Sequence, residues 1–267
     1  CTNRAKVSGS TNVGGIVGDM ENATVDKCEC PNTDKTIYQT NTGNAYGALG
    51  GIVGAASYGS IIRNCYNRSP INASCSNTST PTGSSYLTYG SIGGVVGVAY
   101  NNNSNALDVK SPIIENCYSI GAIAASNAYS VGGVAGRTYY VYINNCYNGG
   151  SITGKSASYN GAVVGYRYYG KYINSFAKSG TCSNPWGTSS TGGTMTDCDF
   201  FTHSLETSDV CRYNNADDGL ITALRDWVDD NNDEGIYYKW ANDVASWPNK
   251  GMPVFKIRPV MGQPTVS

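Results

Sequence analysis

The side chains that could do chemistry in this chain are few and poorly spaced for it. A glycosidase needs two carboxylates across the scissile bond, and a calcium-dependent lyase needs an acidic cluster beside a base. Between residues 35 and 196 the only acidic residues are Asp108 and Glu115. Asp108 stands with Lys110 in an irregular Asn-rich stretch and Glu115 just precedes a cysteine, so both read as surface residues. A nucleophilic triad would have to use His203, the one imidazole, and no motif places a serine or cysteine beside it. Zinc chemistry would start from Cys28-Glu29-Cys30, but structural zinc wants four ligands in paired spacing. The run Asp229-Asp230-Asn231-Asn232-Asp233-Glu234-Gly235 has the composition of a calcium loop without the glycine position and terminal glutamate of an EF-hand, and reads as a solvated helix end. The expectation is a non-enzyme, with no catalytic residue, no metal site and no cofactor.

What remains is recognition by a surface. Arg137, Tyr139, Tyr140 and Tyr142 recur further along as Arg167, Tyr168, Tyr169 and Tyr172. If the two groups lie on successive turns of a repeat, they form a candidate binding wall of stacked phenol rings and guanidinium groups, able to pack on sugar rings or on a partner protein. The plainer reading is that the rings tile the wall as cross-strand pairs. A formal net charge of −1 leaves no electrostatic footprint for nucleic acid. No run of eighteen apolar residues marks a direct membrane span. The expected partners are therefore a glycan or an extracellular or surface protein.

Such a wall must be carried by a repeat, and the chain has one. A Gly-Gly-aliphatic-aliphatic-Gly block stands at 14–18, 50–54, 93–97 and 132–136 and decays at 161–165. It alternates with Asn-Cys-Tyr at 64–66, 116–118 and 145–147, with looser copies around Cys28, Phe176 and Cys198. Three residues before these positions the chain has Val25, Ile62, Ile114, Ile143, Ile173 and Met195. Six after, it has Val7, Ile71, Ile123, Ile152 and Cys182. Units this small cannot bury an apolar face alone, so successive coils must stack and share a core. Short β-branched runs punctuated by Gly and Asn, with no helical period, make the body all-β: a parallel β-helix-like solenoid with insertions near 72–85 and 101–111. The glycines are expected where φ is positive or backbones approach closely. Charged residues make up only 14% of a chain with 33 Gly and 21 Tyr, so its surface presents hydroxyls and amides more than charges.

The glycine block alternating with Asn-Cys-Tyr-Asn resembles the GLUG-type repeats of bacterial surface proteins over roughly residues 1–200. Such repeats occur in Bacteroidetes and Firmicutes, including non-catalytic regions of IgA-specific metallopeptidases. The resemblance implies a secreted or cell-surface location, a stalk or adhesin segment, and no catalytic residues. Two further readings stay open beside the adhesin: a passive spacer in a longer surface protein, and a carbohydrate-active β-helix enzyme.

Cys1 falls on the repeat position of Cys28, Cys65, Cys117, Cys146 and Cys198, so the chain is expected to start partway through a coil and not at a lipidated cysteine. With Phe176 aligned to the same position, the site reads as apolar and the cysteines as stacked thiols. Cys30, Cys75 and Cys211 lie off that grid, and any disulfide would involve them, for example Cys198 with Cys211. From about residue 199 the glycine blocks end, and twelve of the nineteen acidic residues lie from Asp197 onward. The repeat domain is accordingly set at 1–198 and a C-terminal cap at 199–267. Leu220, Ile221, Leu224, Trp227 and Val228 predict a helix at about 217–230, capped by Asn215 or Asp217 and ended by Asn231-Asn232. Short extended segments around Tyr237–Trp240 and Met252–Phe255 complete the cap over the last coil.

Overall fold

The computed structural model describes residues 1–40, 47–74, 90–101, 106–126, 128–153, 159–187, 193–198, 200–201, 211–213, 216–242 and 252–256. Each coil contributes five short strands to five parallel sheets. In chain order the first coil runs through Val7–Gly9, Val13–Gly14, Val17–Glu21, Thr24–Asp26 and Glu29–Cys30. Every strand pairs in parallel with its counterpart in the next coil, as Ile71 with Ile123 and Tyr66 with Tyr118 do. The solenoid expectation holds.

Inward-facing side chains line up in columns because the parallel register puts like over like. Ile37, Ile71, Ile123 and Ile152 form one column, and Val25, Ile62, Ile114 and Ile143 another, all buried in one core. Burying each such side chain contributes about 1.5–3 kcal/mol.

The double glycines serve close approach. A Cβ on Gly94 would sit 2.0 Å from the Gly133 carbonyl oxygen, and one on Gly133 would sit 2.1 Å from the Ala162 oxygen. Positive φ falls elsewhere: Asn64, Asn116, Asn145 and Asn174 have φ between 46° and 53°, with Lys27 and Asp197 at the same turn in the first and last coils. The asparagine amides form a ladder, in which Asn116, Asn145 and Asn174 each donate through Nδ2 to the Oδ1 of the preceding coil's asparagine, at 2.8, 2.8 and 2.6 Å.

The cysteine position is corrected by the register. Phe176 pairs with Tyr147, so Ser175, and not Phe176, stands where the other coils have cysteine. The position is polar in use: Cys65, Cys117, Cys146 and Ser175 each donate to the carbonyl two residues back, at 3.0–3.2 Å. Cys65, Cys117 and Ser175 also accept from a backbone N–H of the coil before, as Cys117 Sγ does from Cys65 at 3.4 Å. A phenyl ring could make neither bond. By the same register the residue above Ile143 is Tyr172, not Ile173. Cys30 pairs with Asn67, two residues past the cysteine position, and is fully buried there. Cys28, Cys30, Cys65, Cys117 and Cys146 are buried free thiols. Cys75 and the Cys211 side chain lie outside the described residues.

These thiols tie stability to alkaline pH. Burial pushes the Cys30 thiol up to about 12 and holds Cys65 and Cys117 well above the ordinary thiol range. Unfolded thiols ionise near pH 8.5, so above it the unfolded chain sheds protons that the folded chain keeps, and stability falls as pH rises toward the folded values. Cys30 alone should cost about 2 kcal/mol at pH 10 relative to pH 7. Urea denaturation across pH 7–10 should show that loss, and Cys117→Ser should flatten the slope while remaining folded. A pH-independent midpoint would contradict the assignment.

The C-terminal segment is a lateral brace. The fifth sheet continues to Phe200–Phe201, so the solenoid passes the expected boundary at 198. Helix α1, Leu220–Asn231, follows a two-stranded ribbon of Cys211–Tyr213 and Ala216–Asp218. The helix starts at Leu220, so Asp217 stands in the ribbon two residues before the cap position, and Asn215 lies outside the described residues. Gly219 is the N-cap and makes no side-chain cap bond, while Asn232 ends the helix. The helix and the antiparallel pair Trp240–Ala241 and Val254–Phe255 pack on the flank formed by Tyr118, Tyr147, Phe176 and Phe201. The asparagine ladder reaches the same segment: Nδ2 of Asn64, Asn116, Asn145 and Asn174 also donates to the carbonyls of Ile236, Tyr238, Leu224 and Ala223. Among the described residues, no helix is long and apolar enough to cross a membrane.

Candidate functional site

Sheet alternation turns part of each third-sheet strand outward. In the register Tyr100 precedes Tyr139 and Tyr168, and Val98 precedes Arg137 and Tyr166. Four of the eight residues expected to form the wall come together. Tyr139 stacks on Tyr168 at 4.5 Å and Tyr140 on Tyr169 at 5.2 Å, both nearly parallel, while neighbours within a coil meet edge-on at 4.6–4.8 Å. The result is a two-by-two herringbone. Tyr142 is half-buried on the adjoining sheet, where it pairs with Lys171.

The other three residues leave the wall. Arg137 is only 4% exposed and pairs with Tyr166, not with Arg167. Arg167 pairs with Thr138, whose hydroxyl bonds the Tyr172 hydroxyl at 2.7 Å in the interior. Nη1 of Arg167 lies 3.1 Å from Met195 Sδ. Tyr172 is fully buried and sits over Ile143; burial pushes its hydroxyl well above the usual phenol range, with the Thr138 bond opposing. The reason is periodicity. The coil here is 29 residues long, as the Asn116–Asn145 bond spans, so Arg137 maps to 166 and Tyr142 to 171. Matching Arg137-Thr138-Tyr139-Tyr140 to Arg167-Tyr168-Tyr169, where the arginine stands one residue nearer the tyrosines, put the flanks out of step.

Strict use of that period would have found what the letter match missed. Arg137 lies over the ring of Tyr166 at 4.5 Å and over Tyr129 at 5.4 Å. Tyr129 stacks on Tyr159 at 4.8 Å. Burial raises the Tyr129 hydroxyl, reinforced by Tyr159 and opposed by Arg137. The aromatic surface thus extends past the herringbone onto a cation held between rings.

The two acidic residues weighed for catalysis are both engaged structurally. Asp108 Oδ1 accepts from Asn101 Nδ2 at 3.0 Å and from the Lys110 backbone at 2.8 Å, closing its own loop. Glu115 is not a surface residue: it is 8% exposed, and burial raises its carboxyl while bonding to Tyr237 and the charge of Arg63 oppose. Its position beside the C-terminal brace removes it from solvent. His203 lies outside the described residues. Among the described residues, no three His, Cys, Asp or Glu side chains are grouped to hold a metal.

No family model matches the chain and no curated protein sequence matches it, so the resemblance to GLUG-type repeats rests on the motifs quoted above. Among solved structures the chain is similar to a Bacteroides ovatus protein described as a “putative immunoglobulin A1 protease”. The identity is 19%, over 95% of this chain and 74% of that one, with a TM-score of 0.46. Similarity at that level says nothing about a shared activity.

Proposed function

We propose that this chain is a non-catalytic recognition module of a secreted or cell-surface bacterial protein, binding a glycan or a partner protein through the herringbone of Tyr139, Tyr140, Tyr168 and Tyr169. The observation that carries the reading is a tyrosine, Tyr169, left exposed at the edge of the stack on a left-handed backbone. Its φ is 43°, a left-handed conformation that costs a bulky residue about 1–2 kcal/mol. At the corresponding turn of the first coil stands Asn22, which tolerates that conformation, at φ 48°. Tyr140, at φ 53°, is only 5% exposed, and burial of its ring offsets the cost. Tyr169 is 36% exposed. Stacking on Tyr140 and Tyr168 adds about 0.5–1.5 kcal/mol to the burial of the rest of its ring, and the exposed third is the part of the wall that a ligand can reach.

The test is a binding screen of the chain against glycan and extracellular-matrix protein arrays, with Tyr169→Asn and Tyr139→Ser/Tyr168→Ser alongside. Tyr169→Asn should leave the melting temperature within about 3 °C and reduce binding roughly tenfold or more. A ligand that binds all variants equally would remove the wall from consideration. Absence of binding to any class would make the chain a spacer, and turnover of a polysaccharide during the screen would make it an enzyme.

A further inference from the structure

A second site lies on the C-terminal brace, away from the tyrosine wall and independent of it. Between α1 and the Trp240–Ala241 strand is a cleft of about 290 Å³ lined by Arg225, Lys239 and Lys256, with Asp229 as the one carboxylate lining it among the described residues. Six Lys and Arg follow Asp197 in the most acidic part of the chain, and three of them meet here. Lys239 is neutralised by Asp229 at 2.9 Å. Arg225 spends its Nε on the Trp240 carbonyl at 3.1 Å, which orients the guanidinium, and Lys256 has no carboxylate partner among the described residues. Among the described residues the cleft lining therefore carries a net positive charge.

Its floor supplies the second observation. Trp240 lines the cleft and is 2% exposed, yet its indole N–H has no hydrogen-bond acceptor. A buried donor without a partner is costly, and an acceptor atom brought by a ligand would satisfy it. Val228 and Ala241 complete an apolar lining beside the indole. Small-molecule sites combine an apolar floor with a few convergent polar groups, and this volume, at the low end for such sites, suits one ring and not a chain.

We infer that this cleft binds a single acidic sugar residue, its carboxylate or sulfate held by Lys256 and Arg225 and a ring or hydroxyl oxygen accepting from Trp240 Nε1. A sugar carries its acid and its ring and hydroxyl oxygens on one rigid ring, so it can meet the cations and the indole N–H together, as an acidic peptide side chain cannot. The cations are exposed, so the interaction weakens with salt.

The experiment follows the tryptophan indole cross-peaks of the ¹⁵N-labelled chain, the Trp240 peak being identified by its loss in Trp240→Phe. Probes are glucuronic acid, galactose 6-sulfate, glucose, sodium sulfate and tetraglutamate, at about 0.05 M and 0.5 M NaCl. Glucuronic acid and galactose 6-sulfate should both move the Trp240 peak, more weakly at high salt, and Lys256→Gln should lower their affinity roughly tenfold. Lysine 256 is exposed, so this variant keeps the fold. A response to only one of the two acids would narrow the anion to carboxylate or sulfate and support the site. Equal response to glucose, to sulfate alone or to tetraglutamate would overturn the proposal, as would no response or an unchanged affinity in Lys256→Gln. Tyr169→Asn should bind these probes normally, which separates failure here from failure of the tyrosine wall.

Discussion

Asn145→Ala should destabilise the chain by about 3–5 kcal/mol, more than a typical single substitution. The residue holds φ at 53°, which costs alanine about 1–2 kcal/mol. Its Nδ2 bonds Asn116 Oδ1 at 2.8 Å and the Leu224 carbonyl at 3.2 Å, and its Oδ1 accepts from Asn174 at 2.6 Å. Truncation strands those groups inside the protein, at about 1–3 kcal/mol for each one left unpaired. Asn145→Gly keeps the turn and should recover only the conformational part. Because the ladder also anchors α1, the loss should appear as one transition in urea, seen alike by tryptophan fluorescence and by far-ultraviolet dichroism. A loss below about 1 kcal/mol would mean that the amide ladder is incidental.

Gly133→Ala should prevent folding of the array or cost more than about 4 kcal/mol. The added methyl would lie 2.1 Å from the Ala162 oxygen and 2.2 Å from Asn148 Cγ; the first is backbone of the next coil, and the second is pinned by both amide bonds to Gly150. Gly180→Ala is the control. Gly180 has φ of +80° with open space around it, so alanine there should cost only about 1–2 kcal/mol of backbone strain. If thermal melts gave the two variants the same penalty, close approach would not be what the double glycine provides.

The contrast between those glycines shows where reading by residue type ran out. Positive φ and close approach are both reasons for a glycine, and nothing in the letters Gly-Gly-Ile-Val-Gly distinguishes them. Three-dimensional stacking assigns the first role to Asn64, Asn116, Asn145 and Asn174 and the second to the double glycine. The alignment of Phe176 with the cysteines failed for a related reason: both are apolar by type, and only the strand pairing shows Ser175 making the thiol's two hydrogen bonds. The helix was legible from its apolar spacing, but its cap was not, since the ribbon before it takes up Asp217 and the first turn begins only at Leu220.

Local periodicity by itself determined that this chain is a solenoid. Apolar residues at fixed offsets from a recurring Asn-Cys-Tyr can be buried together only by stacking coils, and the parallel register follows. The tyrosine wall was half visible for the same reason: Tyr139 and Tyr168, like Tyr140 and Tyr169, are one coil apart and therefore stack. Tertiary structure alone decided which way each neighbour faces, sending Tyr172 inward and setting Arg137 against Tyr166. It alone decided where the C-terminal segment goes. A helix with an apolar face needs some apolar surface, and the flank of stacked tyrosines and backbone-hungry amides that accepts it is assembled from residues tens of positions apart.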